Sequence, residues 1–281
     1  MSPSRTAFVL SGGASLGAIQ VGMLRALADE DIRPDLIVGT SVGAVNGAFL
    51  ASHGCTRASV DELAAAWLRL GRGQVFPIEP LTGLLGFLGA RRNLVPAVAL
   101  RRLVSRHVVW ERLEDLPLPL HVIACDVLTG TEVRLSEGPL VDAVLASAAI
   151  PGVLPPVEWD GRLLMDGGIV DNTPISHALA LGAGAVYVLP TGAPCVLAEA
   201  PRGALGMLVH AAGLMVSRRF AGETLQFAGR PDVTIIPPPC PITVQPMDFG
   251  HAAELIALGE ASARAFLAGM PARVVPLRPA S

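Results

Sequence analysis

The chain contains no lysine; all 21 of its basic residues are arginine. Charged residues of both signs occupy only 16% of its 281 positions, against a usual share of about a quarter. That scarcity, beside a hydrophobic content of 51%, excludes a disordered chain and a charged coiled coil. The 24 acidic residues leave a net charge of −3, so nothing marks a nucleic-acid binder or the partner of a strongly acidic molecule. Cysteine is sparse too. Cys55, Cys125, Cys195 and Cys240 stand far apart with no paired spacing, which argues against a disulfide framework or zinc site and for reduced, buried thiols of a cytosolic protein. Clean hydrophobic runs are also missing. Residues 6–24 and 178–198 are uncharged, but the first holds four glycines with Ser11, Ser15 and Gln20, and the second is broken by Gly182, Gly184, Pro190 and Pro194. Neither reads as a membrane span or a cleaved signal. A cytoplasmic protein is expected.

What is plentiful is glycine and proline, 30 and 24, which implies many short elements with tight connections rather than a helical bundle. Apolar segments predict strands at 7–10, 36–38, 120–125, 163–165, 185–189 and 232–237. Helical spacing predicts helices at 18–30, 44–51, 60–70, 140–147, 175–181 and 252–267. Alternation of strand and helix predicts an α/β domain whose parallel sheet is covered on both faces. Residues 69–106 depart in composition, with seven arginines and one acid, Glu79, among leucines. Two readings stand for this segment: peripheral contact with an anionic membrane, or an ordinary helix pair with solvated arginines.

The sharpest feature is Gly39-Thr40-Ser41-Val42-Gly43, between a predicted strand and helix. A serine on such a turn is held exposed, with glycines relieving crowding on either side, as a nucleophile requires. A tetrahedral intermediate needs donors for its oxyanion, and the Ser11-Gly12-Gly13-Ala14-Ser15-Leu16-Gly17 loop at the end of the first strand can supply backbone N–H groups. The loop is no phosphate cradle, because Ala18 and Ile19 stand where Lys and Ser or Thr are needed, and no dinucleotide fingerprint, because Ala14 replaces a glycine. Asp166, directly after the strand 163–165 and before Gly167-Gly168, is expected at the carboxyl edge of the parallel sheet, where burial beside the serine raises its basicity. A bland reading of Asp166 is a turn former, and of Asp171 a helix cap before Pro174. His177, His210 and His251 follow Asp166, but none sits in a recognisable catalytic turn.

These three motifs, in this order, together with Ser147-Ala148-Ala149-Ile150-Pro151-Gly152 and Asp171-Asn172-Thr173-Pro174, resemble the patatin-like phospholipases over about residues 6–190. The resemblance implies a three-layer α/β/α fold with a mainly parallel central sheet and a catalytic core at 6–190; with no linker or repeat in the chain, residues 191–281 read as a C-terminal extension packed on the same domain. It also implies a Ser-Asp dyad that cleaves acyl esters of lipids through an acyl-enzyme, without metal or cofactor. Ser41 is then the nucleophile and Asp166 the base, with Gly12, Gly13 and Ala14 forming the oxyanion hole. The family usually shows glycine at the place of Ala14 and a cation at the place of Leu16; losing the cation weakens the case for a phospholipid more than for ester hydrolysis. Alternatives from other classes are a catalytically silent lipid-binding or regulatory protein on the same fold, and an acyl thioesterase or transacylase using the same serine.

Overall fold

The computed structural model describes residues 5–77, 92–192 and 229–270, with isolated positions between them. Its first strand, β1 (Arg5–Leu10), is buried on both sides because it runs between two parallel neighbours, β2 (Leu36–Thr40) and β7 (Ala183–Leu189). Alternation divides its side chains: Phe8 and Leu10 enter the larger core, Ala7 and Val9 the smaller one on the other face.

Among the described residues the remaining strands and the α-helices of six residues or more are, in chain order, α1 (Gly17–Asp29), α2 (Val42–His53), α3 (Arg57–Leu68), α4 (Val98–His107), β3 (Leu120–Asp126), β4 (Glu132–Leu135), α5 (Leu140–Ser147), β5 (Val157–Trp159), β6 (Arg162–Asp166), α6 (Ile175–Ala180), β8 (Val233–Ile235) and α7 (Ala252–Ala268). The sheet runs β5-β6-β3-β2-β1-β7-β8, with β4 on β3. Strands β1, β2, β3, β7 and β8 are mutually parallel, whereas β4 and β6 run antiparallel to β3, and β5 to β6. The large core joins the sheet to α1, α2, α3, α5 and α7, and the small one joins it to Ile175 and Ala178 of α6, giving three layers. The last helix crosses α1 at contact distance. A Cβ on Gly22 would fall 2.0 Å from the Ile256 carbonyl oxygen, and one on Gly259 2.2 Å from that of Ile19. Only glycine at both positions lets the backbones meet.

The sheet corrects one expectation. β3 pairs with β4 along one edge, since Val122 and Ala124 face Leu135 and Val133; the other edge is shared by β2, which ends with Thr40 opposite Ile123, and β6, which ends with Asp166 opposite Ala124. β2 and β6 therefore meet carboxyl end to carboxyl end. Asp166 arrives on an antiparallel strand, not at the end of a parallel one, because the short β5-β6 hairpin returns the chain against its neighbour.

The uncharged run 6–24 forms β1, the glycine loop and most of α1, and no described helix is long and apolar enough to cross a membrane. Cys55 and Cys125 are free and buried, but Cys240 is disulfide-bonded, contrary to the expectation of four reduced thiols. Separation along the chain does not report which sulfurs the fold brings together, so cysteine usage no longer argues for a reducing compartment. Of the arginine-rich segment, most of 78–91 lies outside the described residues. Helix α4 within it buries Leu100 and Val104 and exposes Arg101 and Arg102.

Candidate active site

Ser41 stands between β2 and α2 with φ 54° and ψ −121°, a conformation that a non-glycine residue enters only under strain. Packing holds it there. A Cβ on Gly43 would lie 2.1 Å from the Leu10 carbonyl oxygen, so the start of α2 sits directly on the end of β1. The Ser41 N–H donates to Ser147 Oγ at 2.8 Å, and that hydroxyl donates in turn to the Ile123 carbonyl at 2.5 Å, at the junction where β2 and β6 meet. Ser41 Oγ then donates to Asp166 Oδ2 at 2.7 Å.

Asp166 is buried, and Gly168 N–H donates to its other oxygen at 2.7 Å. Burial pushes its carboxyl up to about 6, a rise that the hydrogen bonds from Ser41 and Gly168 only partly offset. The group thus stays ionised at neutral pH yet binds a proton far more readily than an exposed carboxylate. The turn-forming role of Asp166 and its contact with Ser41 coexist, one on each oxygen.

The glycine loop abuts the serine: a Cβ on Gly12 would lie 3.2 Å from Ser41 Cβ. Its three candidate donors differ. Gly12 N–H donates to the Asn172 carbonyl at 3.2 Å, whereas the N–H groups of Gly13 and Ala14 have no acceptor among the described residues. Ala14 lines the same pocket as Ser41 and has φ 50°, a left-handed conformation that glycine would adopt without steric cost. Leu16 is buried in the core and offers nothing to a head group.

Two residues that sequence reasoning gave no role, Thr191 and Gln20, anchor this loop. Thr191 Oγ1 donates to the Gly12 carbonyl at 2.6 Å and Thr191 N–H to Ser11 Oγ at 2.9 Å. Gln20 donates to the carbonyls of Ser11 and Leu189, both at 2.9 Å, and accepts from Asn46, which itself accepts from Trp67. Ser147, which accepts from the Ser41 N–H, is likewise marked by no local pattern. Hydroxyl and amide side chains are too common for spacing alone to single them out. Asp171 corrects another reading: its Oδ1 accepts from Thr173 N–H, two residues on, while Pro174 occupies the N-cap of α6. His177 lies behind the sheet, His251 is exposed beside Glu254, and His210 is outside the described residues.

From Ser41 an apolar pocket of about 90 Å³ runs along one face of α2, past Val42, Val45, Asn46 and Phe49, with Trp67, Leu100, Val104 and Phe249 among its other walls. Eight residues of helix span ~12 Å. It is a slot, well below the ~300–1,000 Å³ of drug-sized ligand sites. The apolar side of α4 faces it.

A family model for patatin-like phospholipases matches residues 8–179. The chain is 33% identical over 192 residues to patatin-like phospholipase domain-containing protein 7 of Mus musculus, covering 66% of this chain and 13% of that protein. It is 35% identical over 183 residues to an uncharacterized NTE family protein of Mycobacterium bovis, covering 65% and 48%. The chain thus spans less than half the length of these curated relatives. Among solved structures, VipD from Legionella pneumophila aligns with a TM-score of 0.52 at 16% identity, over 95% of this chain and 67% of that one. Human GIVD cytosolic phospholipase A2 aligns with a TM-score of 0.50 at 11% identity, over 94% and 59%. At such identities the likeness concerns the fold alone. Since the family match covers more than half of the sequence, the chain belongs to the patatin-like phospholipase family.

Proposed function

We propose that this chain is a lipid acyl hydrolase in which Ser41 and Asp166 form a catalytic dyad. The observation that carries the reading is the 2.7 Å hydrogen bond from Ser41 Oγ to a buried carboxylate beside an apolar slot. The acyl chain of an ester lies along α2, which brings its carbonyl carbon to Ser41 Oγ. Asp166 accepts the hydroxyl proton as Oγ attacks, and the N–H groups of Gly13 and Ala14 hold the oxyanion. Gly12, its own N–H already donated to Asn172, shapes the loop rather than completing the hole. The alcohol leaves with the proton from Asp166. Water, deprotonated by the same carboxylate, then attacks the acyl-enzyme, and Asp166 returns that proton to Ser41 Oγ as the bond to the acyl carbon breaks and the fatty acid leaves.

Fluorophosphonate labelling of wild type and Ser41→Ala, paired with hydrolysis of lipid esters, tests the reading. Labelling and hydrolysis that both vanish in the variant support it. A folded wild type that neither labels nor cleaves, yet sediments with liposomes, overturns it in favour of a lipid-binding protein. Peripheral contact through residues 69–106 forms part of the proposal, with binding to anionic vesicles expected to weaken at high salt.

A further inference from the structure

Behind the sheet, three side chains from separate segments converge. Glu132 on β4 pairs with Cys125, which lies on the same side of β3 as Ile123, a member of the small core against α6. His177 comes from α6, and Asp171 from the turn that follows Asp166. One candidate ligand atom from each of Glu132, Asp171 and His177 lies within 4.8 Å of the other two.

Their spacing is informative. His177 Nε2 is 3.5 Å from Glu132 Oε2 and 3.9 Å from Asp171 Oδ2, beyond the ~3.2 Å limit of a good N–H···O bond. That nitrogen is shielded from solvent and has no hydrogen-bond partner among the described residues, an arrangement that is unfavourable for an imidazole left to itself. Ligands bound at ~2.0–2.1 Å around a tetrahedral ion, by contrast, sit about 3.4 Å apart. The two separations from His177 Nε2 are too wide for direct hydrogen bonds and near those of groups that share an ion.

We propose that Glu132, Asp171 and His177 form a binding site for a divalent transition-metal ion, with Zn²⁺ the best match to one imidazole and two carboxylates. Three protein ligands leave a fourth position for water. Mg²⁺ fits less well, because it favours an all-oxygen octahedron. The ion touches no reacting atom, and its role is to position. Asp171 N–H donates to the Gly167 carbonyl at 2.9 Å, and its own carbonyl accepts from Thr40 Oγ1 at 3.0 Å, one residue before the nucleophile. Pinning the Asp171 side chain to β4 and α6 therefore braces the turn that carries Asp166.

The test is calorimetric titration of the chelator-stripped full chain with Zn²⁺, with Co²⁺ absorption as an independent report of coordination. One equivalent of Zn²⁺ and visible bands of tetrahedral Co²⁺ are expected. His177→Gln should weaken binding at least tenfold. Glu132→Gln, on a half-exposed side chain that does not threaten folding, should do the same. Absence of saturable Zn²⁺ binding in wild type, equal binding by wild type and both variants, or binding of Mg²⁺ in preference to Zn²⁺ would each overturn the proposal. None of these outcomes depends on esterase activity.

Discussion

Asp166→Asn should abolish ester hydrolysis and, above neutral pH, make the protein more stable. The folded carboxyl titrates at about 6 against an ordinary 3.8, so the folded chain holds this proton more tightly than the unfolded one. The sign follows from linkage: between those two values the folded state binds more protons, and stability falls as pH rises. The full difference corresponds to about 3 kcal/mol at pH 8 and roughly half of that at pH 5. Asparagine removes the buried charge at constant shape. Its carbonyl oxygen accepts from Gly168 N–H as Oδ1 does now, and its amide donates to Ser41 Oγ. Urea denaturation at pH 8 should place the variant up to about 3 kcal/mol above wild type, equivalent to a melting midpoint higher by about 5 °C. The gap should narrow steadily toward pH 4. In the wild type, kcat/KM should rise with pH through about 6, since only the ionised carboxylate accepts the serine proton. An Asp166→Asn protein that is less stable than wild type at pH 8, or a stability gap independent of pH, would refute the burial argument. Retained hydrolysis would refute the dyad.

The Ser147 hydroxyl links the Ser41 N–H to the Ile123 carbonyl, so Ser147→Ala strands both groups. A destabilisation of about 1–3 kcal/mol is expected, with kcat reduced and KM nearly unchanged, as measured by denaturation and steady-state kinetics. Ala14→Gly removes the left-handed strain at φ 50° and should raise stability by up to about 1 kcal/mol without loss of turnover; a lower melting midpoint would contradict that account. At Gly43 an added methyl meets the backbone of Leu10, which cannot yield as a side chain can. Gly43→Ala should lose at least about 2–3 kcal/mol, visible as a lower urea midpoint, together with fluorophosphonate labelling.

Much of the architecture was legible from local pattern. The strand at 36–38, the glycine-flanked Ser41 and the helix that follows lie within a few residues, so turn chemistry and hydrophobic period suffice to find them. The closing helix, predicted at 252–267, spans Ala252–Ala268. Strand β4, with alternate residues exposed, and the three-residue β5 carry too little apolar pattern to be foreseen. For that reason the antiparallel approach of Asp166 was hidden as well.

The sequence by itself determined the α/β class, the elbow that holds Ser41, the glycine loop and the candidacy of Asp166, because each follows from residues adjacent in the chain. Tertiary structure decided that β2 and β6 end against each other on β3, bringing Ser41 and Asp166 to 2.7 Å across 125 residues. It also decided that Gly12 N–H is already taken by Asn172, and that Ser147, Thr191 and Gln20 hold the site in place. Hydrogen bonds between distant segments depend on the register of a sheet, and no local pattern encodes which strand will lie beside which.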